Sequence, residues 1–231
     1  MRPPTPGSPS NNDDLDLTYR QRFSEHDVVA KDSVWKEIAA YLQRYVPEDG
    51  PVLDVACDHG AFIRHIAASE RWATDLRDVS GSLPSEIKFV QGDGCHMADS
   101  LPNDHFSMVF MSNYLEHLPS AEAVVQQIRQ ARLVLRPGGT LLILQPNIRL
   151  TSGQYWDFLD HKTPLTEKSL EEAACLVGFR TEHMITRFLP YSTKSKLPQS
   201  GLLTRWYLRF PPAWWLMGKQ TLYVGVKTDI H

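Results

Sequence analysis

The sequence predicts an α/β fold built on a mostly parallel sheet, and three observations carry that prediction. The run Val52-Leu53-Asp54-Val55-Ala56-Cys57-Asp58-His59-Gly60-Ala61-Phe62 moves from branched apolar residues through an acid into a one-glycine turn. An amphipathic stretch with Ile63, Ile66 and Ala67 follows, so the order reads as strand, tight turn and helix. Further short apolar runs, Arg71–Leu76, Ile87–Val90, Phe106–Met111 and Leu141–Leu144, recur along the chain. Several of them end in a polar residue or turn, where open parallel sheets hold ligands. At 231 residues and 42% hydrophobic content, the chain can bury one substantial core.

Residues 1–18 combine proline, small polar groups and acids, a composition expected to stay disordered, which leaves 19–231 as a single domain. Val34, Trp35, Ile38, Leu42 and Tyr45 recur at helical spacing over Lys31–Val46, with Asp32 or Ser33 able to cap the start. In the turn after the first strand, Ala56 is tolerable where its φ is negative, and Asp58 is a residue type that visits left-handed backbone. Asp75 follows Asp54 at close to the ~20-residue offset at which a βαβ unit sets a carboxylate on ribose hydroxyls. Val124, Val125, Ile128, Ala131 and Leu135 mark a helix over Pro119–Leu135. A third helix runs from a Thr166 cap to a Gly178 stop, with Glu167 facing its dipole. Phe179–Phe188 reads as a sixth strand, and Leu222, Val224 and Val226 alternate in a last one. The intervening segment 189–219 is an aromatic- and base-rich insertion. It reads as a substrate lid, a protein or membrane contact surface, or a folded-back part of the core.

The Val52–Phe62 run resembles motif I of the class I S-adenosylmethionine-dependent methyltransferases, V-L-D-x-G-C-G-x-G-x-F, with Ala56 and Asp58 standing at two of the glycine positions. Leu135-Arg136-Pro137-Gly138-Gly139 resembles the L-x-P-G-G turn of that family, and the resemblance is ordered over about residues 50–180. It implies a Rossmann-like three-layer sandwich whose seven-stranded sheet has an antiparallel last strand, slotted between the fifth and sixth. It also implies S-adenosylmethionine as cofactor. Asp54, Ala56, Cys57 and Gly60 then face its methionine end, Asp75 and Leu76 the ribose, Asp93 and Gly94 the adenine, with Asn113 at the end of the fourth strand. The Asp58 carboxylate would lie near the methionine ammonium. The string Asp160-His161-Lys162-Thr163-Pro164-Leu165-Thr166 looks like one in bacterial methyltransferases of saccharide and secondary-metabolite assembly, which implies a small-molecule acceptor.

A sulfonium methyl is already activated, so the chain's task is alignment, exclusion of water and, for an alcohol acceptor, removal of a proton. Histidine suits that last task because it titrates near neutrality. His117 follows the fourth strand and His161 lies in the loop after the fifth; each also has a purely structural reading. Tyr155, Trp156, Asp157 and Asp160 beside His161 offer rings and carboxylates to an acceptor. The Arg22-Phe23 pair resembles segments that close over cofactor or acceptor in that family, which implies that Arg22 holds a carboxylate and Phe23 covers adenine; solvated helix residues are the other reading. Some quinone-precursor O-methyltransferases bind a divalent ion through Glu-x-x-Glu-His; here Asn113 occupies the first position, so no metal is expected. Three other readings stay open: N-methylation of an amino sugar or small amine, a non-catalytic methyltransferase-like binding domain, and a nicotinamide oxidoreductase. The last would need a denser G-x-G-x-x-G loop.

A net charge of −3 argues against a nucleic-acid partner. The three cysteines, Cys57, Cys95 and Cys175, form no paired framework, which suits a reducing, cytoplasmic compartment. No apolar run reaches the ~18 residues of a membrane span, although weak membrane contact through 189–219 fits its composition. The sequence carries no signal for oligomeric state.

Overall fold

The computed structural model describes residues 25–47, 49–191 and 200–229; the 1–18 tail, Arg22 and Phe23 lie outside the described residues. Seven strands form one sheet in the order β3-β2-β1-β4-β5-β7-β6. They are β1 (Val52–Val55), β2 (Arg71–Asp75), β3 (Ile87–Gln91), β4 (Phe106–Ser112), β5 (Leu135–Pro146), β6 (Phe179–Leu189) and β7 (Gln220–Lys227). The first five pair in parallel, and β7 runs antiparallel between β5 and β6, the topology that the sequence led one to expect.

Strand alternation builds three layers. Leu141 and Ile143 of β5 enter one core with Val124, Ile128 and Ala131 of α2 (Ala121–Val134) and Leu170 and Ala174 of α3 (Glu167–Leu176). Their neighbours Leu142 and Leu144 enter the opposite core, with Ile38, Ala39 and Leu42 of α1 (Glu25–Leu42). A period of two in the strand against 3.6 in the helices is what lets one sheet bury both faces. Helix starts follow local chemistry: Ser120 Oγ accepts from the Ala123 amide, and Thr166 and Ser169 exchange hydrogen bonds in a capping box.

Four expectations change. α1 begins at Glu25, so Asp32 and Ser33 lie inside the helix; Asp32 instead meets His65 at 2.9 Å, and Ser33 Oγ donates to the Ala30 carbonyl. The stretch after Gly60 forms only turns. The Ala67 amide and carbonyl are taken by the side-chain amide of Gln43 (2.9 and 3.0 Å), and this pairing ends the helical path before it can propagate. The Leu135–Gly139 turn is continuous with β5, and its pairing with β4 shifts register between Phe106 and Met108, so the turn is absorbed as a bulge. Among the described residues of the 189–219 insertion there are two helices, α4 (Gly201–Arg209) and α5 (Pro211–Met217). Leu208 is buried, Tyr207 donates to the Phe188 carbonyl at 2.7 Å, and Trp214 packs edge-on to Tyr41 and Phe188. One side of the insertion is therefore core, while Trp206, Phe210, Trp215 and Leu216 on its other side are exposed. Among the described residues, no helix is long and apolar enough to cross a membrane.

Candidate functional site

The carboxyl ends of β1, β2 and β3 converge on the Val55–Gly60 turn. Ala56, Asp58 and Gly60 have φ of 54°, 51° and 70°. All three positions therefore keep left-handed backbone although only one is glycine, and the expectation of a negative φ at Ala56 is corrected. The register of β1 against β2 explains why: Cys57 donates to the Thr74 carbonyl at 3.1 Å and Asp58 to the Asp75 carboxylate at 2.9 Å, which fixes the turn from outside. An L-residue held there costs about 1–2 kcal/mol; glycine removes that strain, but its greater freedom in the unfolded chain offsets part of the gain. Ala56→Gly is accordingly expected to raise stability by roughly 0.5–1 kcal/mol in chemical denaturation. Gly60 suits its positive φ, and a Cβ there would also stand 2.4 Å from Leu83 Cδ2, so the leucine side chain would have to move aside.

Asp75 is buried, and its carboxylate takes three hydrogen bonds: the Asp58 amide on Oδ2, and the Arg77 amide (3.0 Å) and Arg77 Nε (3.2 Å) on Oδ1. A carboxylate offers about four acceptor directions, so one is left for a ribose hydroxyl. Arg77 also reaches Asp58 at 2.9 Å, and Lys31 approaches Asp58 at 3.5 Å. Burial would raise the Asp58 carboxyl, but Lys31, His59 and Arg77 outweigh it and hold it low. Asp54, beneath them, is buried; desolvation, with Asp75 and Asp58 adding, pushes its carboxyl well up. Sequence reasoning missed Arg77 and Lys31. Arg77 sits two residues past the strand-end acid, but its reach to Asp58 exists only once the turn is folded.

These residues fit a ribonucleoside without phosphate. The amides of Cys57, Asp58 and Gly60 are already donated to Thr74, Asp75 and Cys57, so they are not offered to a pyrophosphate, and the Asp58 and Asp75 carboxylates line the turn beside Arg77 and Lys31. Leu76, 47% exposed, presents an apolar surface beside Asp75. At the β3 end, Asp93 is exposed and accepts from the Cys95 amide at 2.9 Å. Gly94 is buried where a Cβ would meet Tyr114 Oη and Gln127 Oε1, each at 2.7 Å. Asn113, exposed at the end of β4 with φ 47°, donates from its amide to the Leu144 carbonyl.

The two candidate histidines, 44 positions apart in sequence, come together beyond β4 and β5. Lys162 and Thr163 donate their amides to the Glu116 carbonyl (2.8 and 3.1 Å), and Thr163 Oγ1 donates to Leu118 at 2.6 Å. That clamp sets the His117 and His161 rings 5.0 Å apart, edge to face. His117 Nδ1 lies 3.2 Å from the Asp160 carbonyl and 3.4 Å from its carboxylate. His161 stacks on Phe158 and meets Tyr155 edge-on. Tyr155 itself is fully buried, with its hydroxyl on the Thr163 carbonyl at 2.6 Å. Its place is therefore beneath the site, not on an acceptor-facing surface as expected. Trp156 and Asp157 are exposed at the rim.

Glu116, His117 and His161 each bring one potential ligand atom into a group spanning 4.8 Å. His161 is a third member that the Glu-x-x-Glu-His comparison could not supply. Glu116 is buried, and desolvation, with Asp160 adding, raises its carboxyl to about 8. A proton must therefore leave it before it can ligate at neutral pH.

A family model described as a methyltransferase domain matches residues 30–184. A curated protein named as a probable methyltransferase, ltbC of Aspergillus luteorubrus, is 24% identical over 144 residues, 53% of this chain; the chain spans about half of that relative's length. Among solved structures, a methyltransferase in complex with the Trm112 activator of Haloferax volcanii superposes with a TM-score of 0.63 at 15% identity, over 88% of this chain and 94% of that one. A SAM-dependent methyltransferase from Archaeoglobus fulgidus gives 0.59 at 18% identity, over 82% and 93%. The [4+2]-cyclase SpnF gives 0.57 at 15% identity, over 84% and 81%, so the fold alone does not fix the reaction. The family match covers more than half of the chain, across the turn and the histidine pair: the protein belongs to the methyltransferase-domain family.

Proposed function

We propose that the protein methylates a hydroxyl group of a small molecule, a sugar or a secondary metabolite, with His117 as general base and Asp160 as the residue that orients it. S-adenosylmethionine is the methyl donor, and when bound it supplies an electrophilic methyl on a sulfonium. The observation that carries the reading is the Asp160–His117 contact. Both Asp160 atoms near Nδ1 are acceptors, so Nδ1 carries the ring proton and the lone pair of the neutral imidazole lies on Nε2. That nitrogen takes the hydroxyl proton as the acceptor oxygen attacks, and the Asp160 carboxylate stabilises the imidazolium formed. His161 packs edge to face on the ring and is backed in turn by Phe158 and Tyr155, which covers that side against water. Trp156 and Asp157 offer the acceptor a ring face and a carboxylate at the rim.

On the cofactor side, Asp75 accepts from ribose, the Asp93–Gly94 corner meets adenine, and the Asp54–Gly60 turn, with Asp58, faces the methionine end. Asp75→Ala is expected to weaken S-adenosylmethionine binding by ~1–3 kcal/mol in calorimetry, through lost charge-assisted hydrogen bonds. Unchanged affinity would overturn the ribose assignment.

The Glu116–His117–His161 grouping supports a second reading in which a divalent cation polarises the acceptor oxygen. The deciding experiment is a screen of hydroxyl and amine acceptors for S-adenosylhomocysteine release, before and after exhaustive chelation. Turnover of a hydroxyl compound that survives chelation supports the base. Turnover confined to amines replaces O-methylation with N-methylation, and loss on chelation, restored by metal, replaces the base with the cation.

A further inference from the structure

We infer that the α4–α5 hairpin is a docking surface for an anionic lipid bilayer. α4 carries two apolar faces where a surface helix normally has one. Its inner face is Tyr207 and Leu208, tied to the sheet as described above. On its outer face Leu202, Trp206 and Phe210 stand at intervals of four and are 63%, 65% and 60% exposed. α5 continues the surface with Trp215 and Leu216, which are 75% and 74% exposed. A cavity of about 400 Å³ opens between the helices beside Trp206, Arg209 and Phe210, large enough to admit part of an acyl chain.

Charge selects the occupant. Among the described residues 200–219, Arg205, Arg209 and Lys219 are basic and none is acidic, although the chain as a whole is acidic. Arg205 is spent on Glu37, held through two 2.8 Å hydrogen bonds. Arg209 is exposed on the same helix as the apolar stripe, and Lys219 closes the far end of α5. Tryptophan and leucine flanked by bases, on short helices lying along a surface, are the composition of an interfacial element that enters the headgroup layer without spanning it. Glu37, the carboxylate that Arg205 holds against the hairpin, is thereby neutralised, so Arg209 and Lys219 beside an apolar stripe favour the anionic headgroups and acyl chains of a bilayer. Lys219 also reaches Gln154 at 2.6 Å, so the docking face adjoins the loop that leads to His161, and bound protein would present its acceptor edge close to the membrane.

The test uses the full chain with vesicles of phosphatidylcholine, with and without phosphatidylglycerol. Co-sedimentation is expected with the anionic vesicles, about 10-fold or more above the neutral ones, because the exposed bases are drawn to an anionic surface. High salt should reverse it. The triple variant Trp206→Ser, Trp215→Ser, Leu216→Ser should lose at least ~10-fold of that binding with its thermal midpoint unchanged, because all three side chains are exposed. Absence of sedimentation with either vesicle, or binding that the triple variant retains, overturns the proposal. Equal binding to neutral vesicles overturns the choice of an anionic surface. A dimer in sedimentation velocity that the triple variant disperses, without vesicle binding, assigns the face to a second copy instead.

Discussion

Replacing His117 by asparagine is expected to lower turnover of a hydroxyl acceptor by about 10²–10⁴-fold while leaving cofactor affinity in place. Asparagine keeps an N–H near the position of Nδ1 and so can still donate toward Asp160, but it has no basic nitrogen at neutral pH. The loss should therefore fall on kcat with KM little changed, and thermal unfolding should show the same midpoint. A residue that only braced the loop would behave differently, with stability and KM moving together. The pH profile supplies a second check. Wild-type kcat/KM should rise through a histidine titration, and the variant should lose that limb. Asp160→Asn should also lower kcat, because the imidazolium formed in the step loses the carboxylate beside it. With an amine acceptor that arrives neutral, the His117 substitution should cost far less, so one variant assayed on two acceptors separates O- from N-methylation.

The fold was legible because its signals are local and periodic. Six strands, the Ala121–Val134 and Glu167–Leu176 helices and the inserted β7 all follow from apolar spacing, caps or an ordered motif resemblance. What failed was set by long-range pairing. The helix expected after Gly60 lost its continuation to Gln43, a side chain well upstream in sequence. The left-handed φ of Ala56 is imposed by amides that bond across to β2, and nothing in an alanine announces it. For the candidate site, the strand-end acids were readable from their offsets in a βαβ unit. The convergence of His117 with Asp160 and His161 was not. It depends on Lys162 and Thr163 closing onto the Glu116 carbonyl, a contact between two loops with no periodicity. Nor could Tyr155 be told from Trp156, since both lie in a short 3₁₀ turn and only one of them meets the Thr163 carbonyl.

Glu116 carries the other large prediction. Its side chain is 1% exposed, and its Oε2 has no hydrogen-bond partner among the described residues. Burial lifts its carboxyl from the ordinary 4.5 to about 8. The folded protein therefore holds a proton on Glu116 at neutral pH, while the unfolded chain releases it above its ordinary value. Each pH unit between those two values removes up to ~1.4 kcal/mol from folding stability. The stabilisation of the protonated form is complete below about pH 4.5 and is lost as pH rises toward about 8. Glu116→Gln cannot ionise and should not show this loss. Urea denaturation at pH 5 and pH 8 should find the stability of the variant relative to wild type growing by on the order of 3 kcal/mol, and any fixed cost of burying the amide cancels in that difference. Parallel pH dependence in the two proteins would mean that Glu116 is ionised in the fold, with a partner cation or water. The same variant weighs the two chemical readings of the site. Glutamine is close in shape and polarity to a neutral carboxylic acid, so turnover at pH 7 should survive if His117 acts as base. It should collapse if Glu116 must give up its proton to hold a cation.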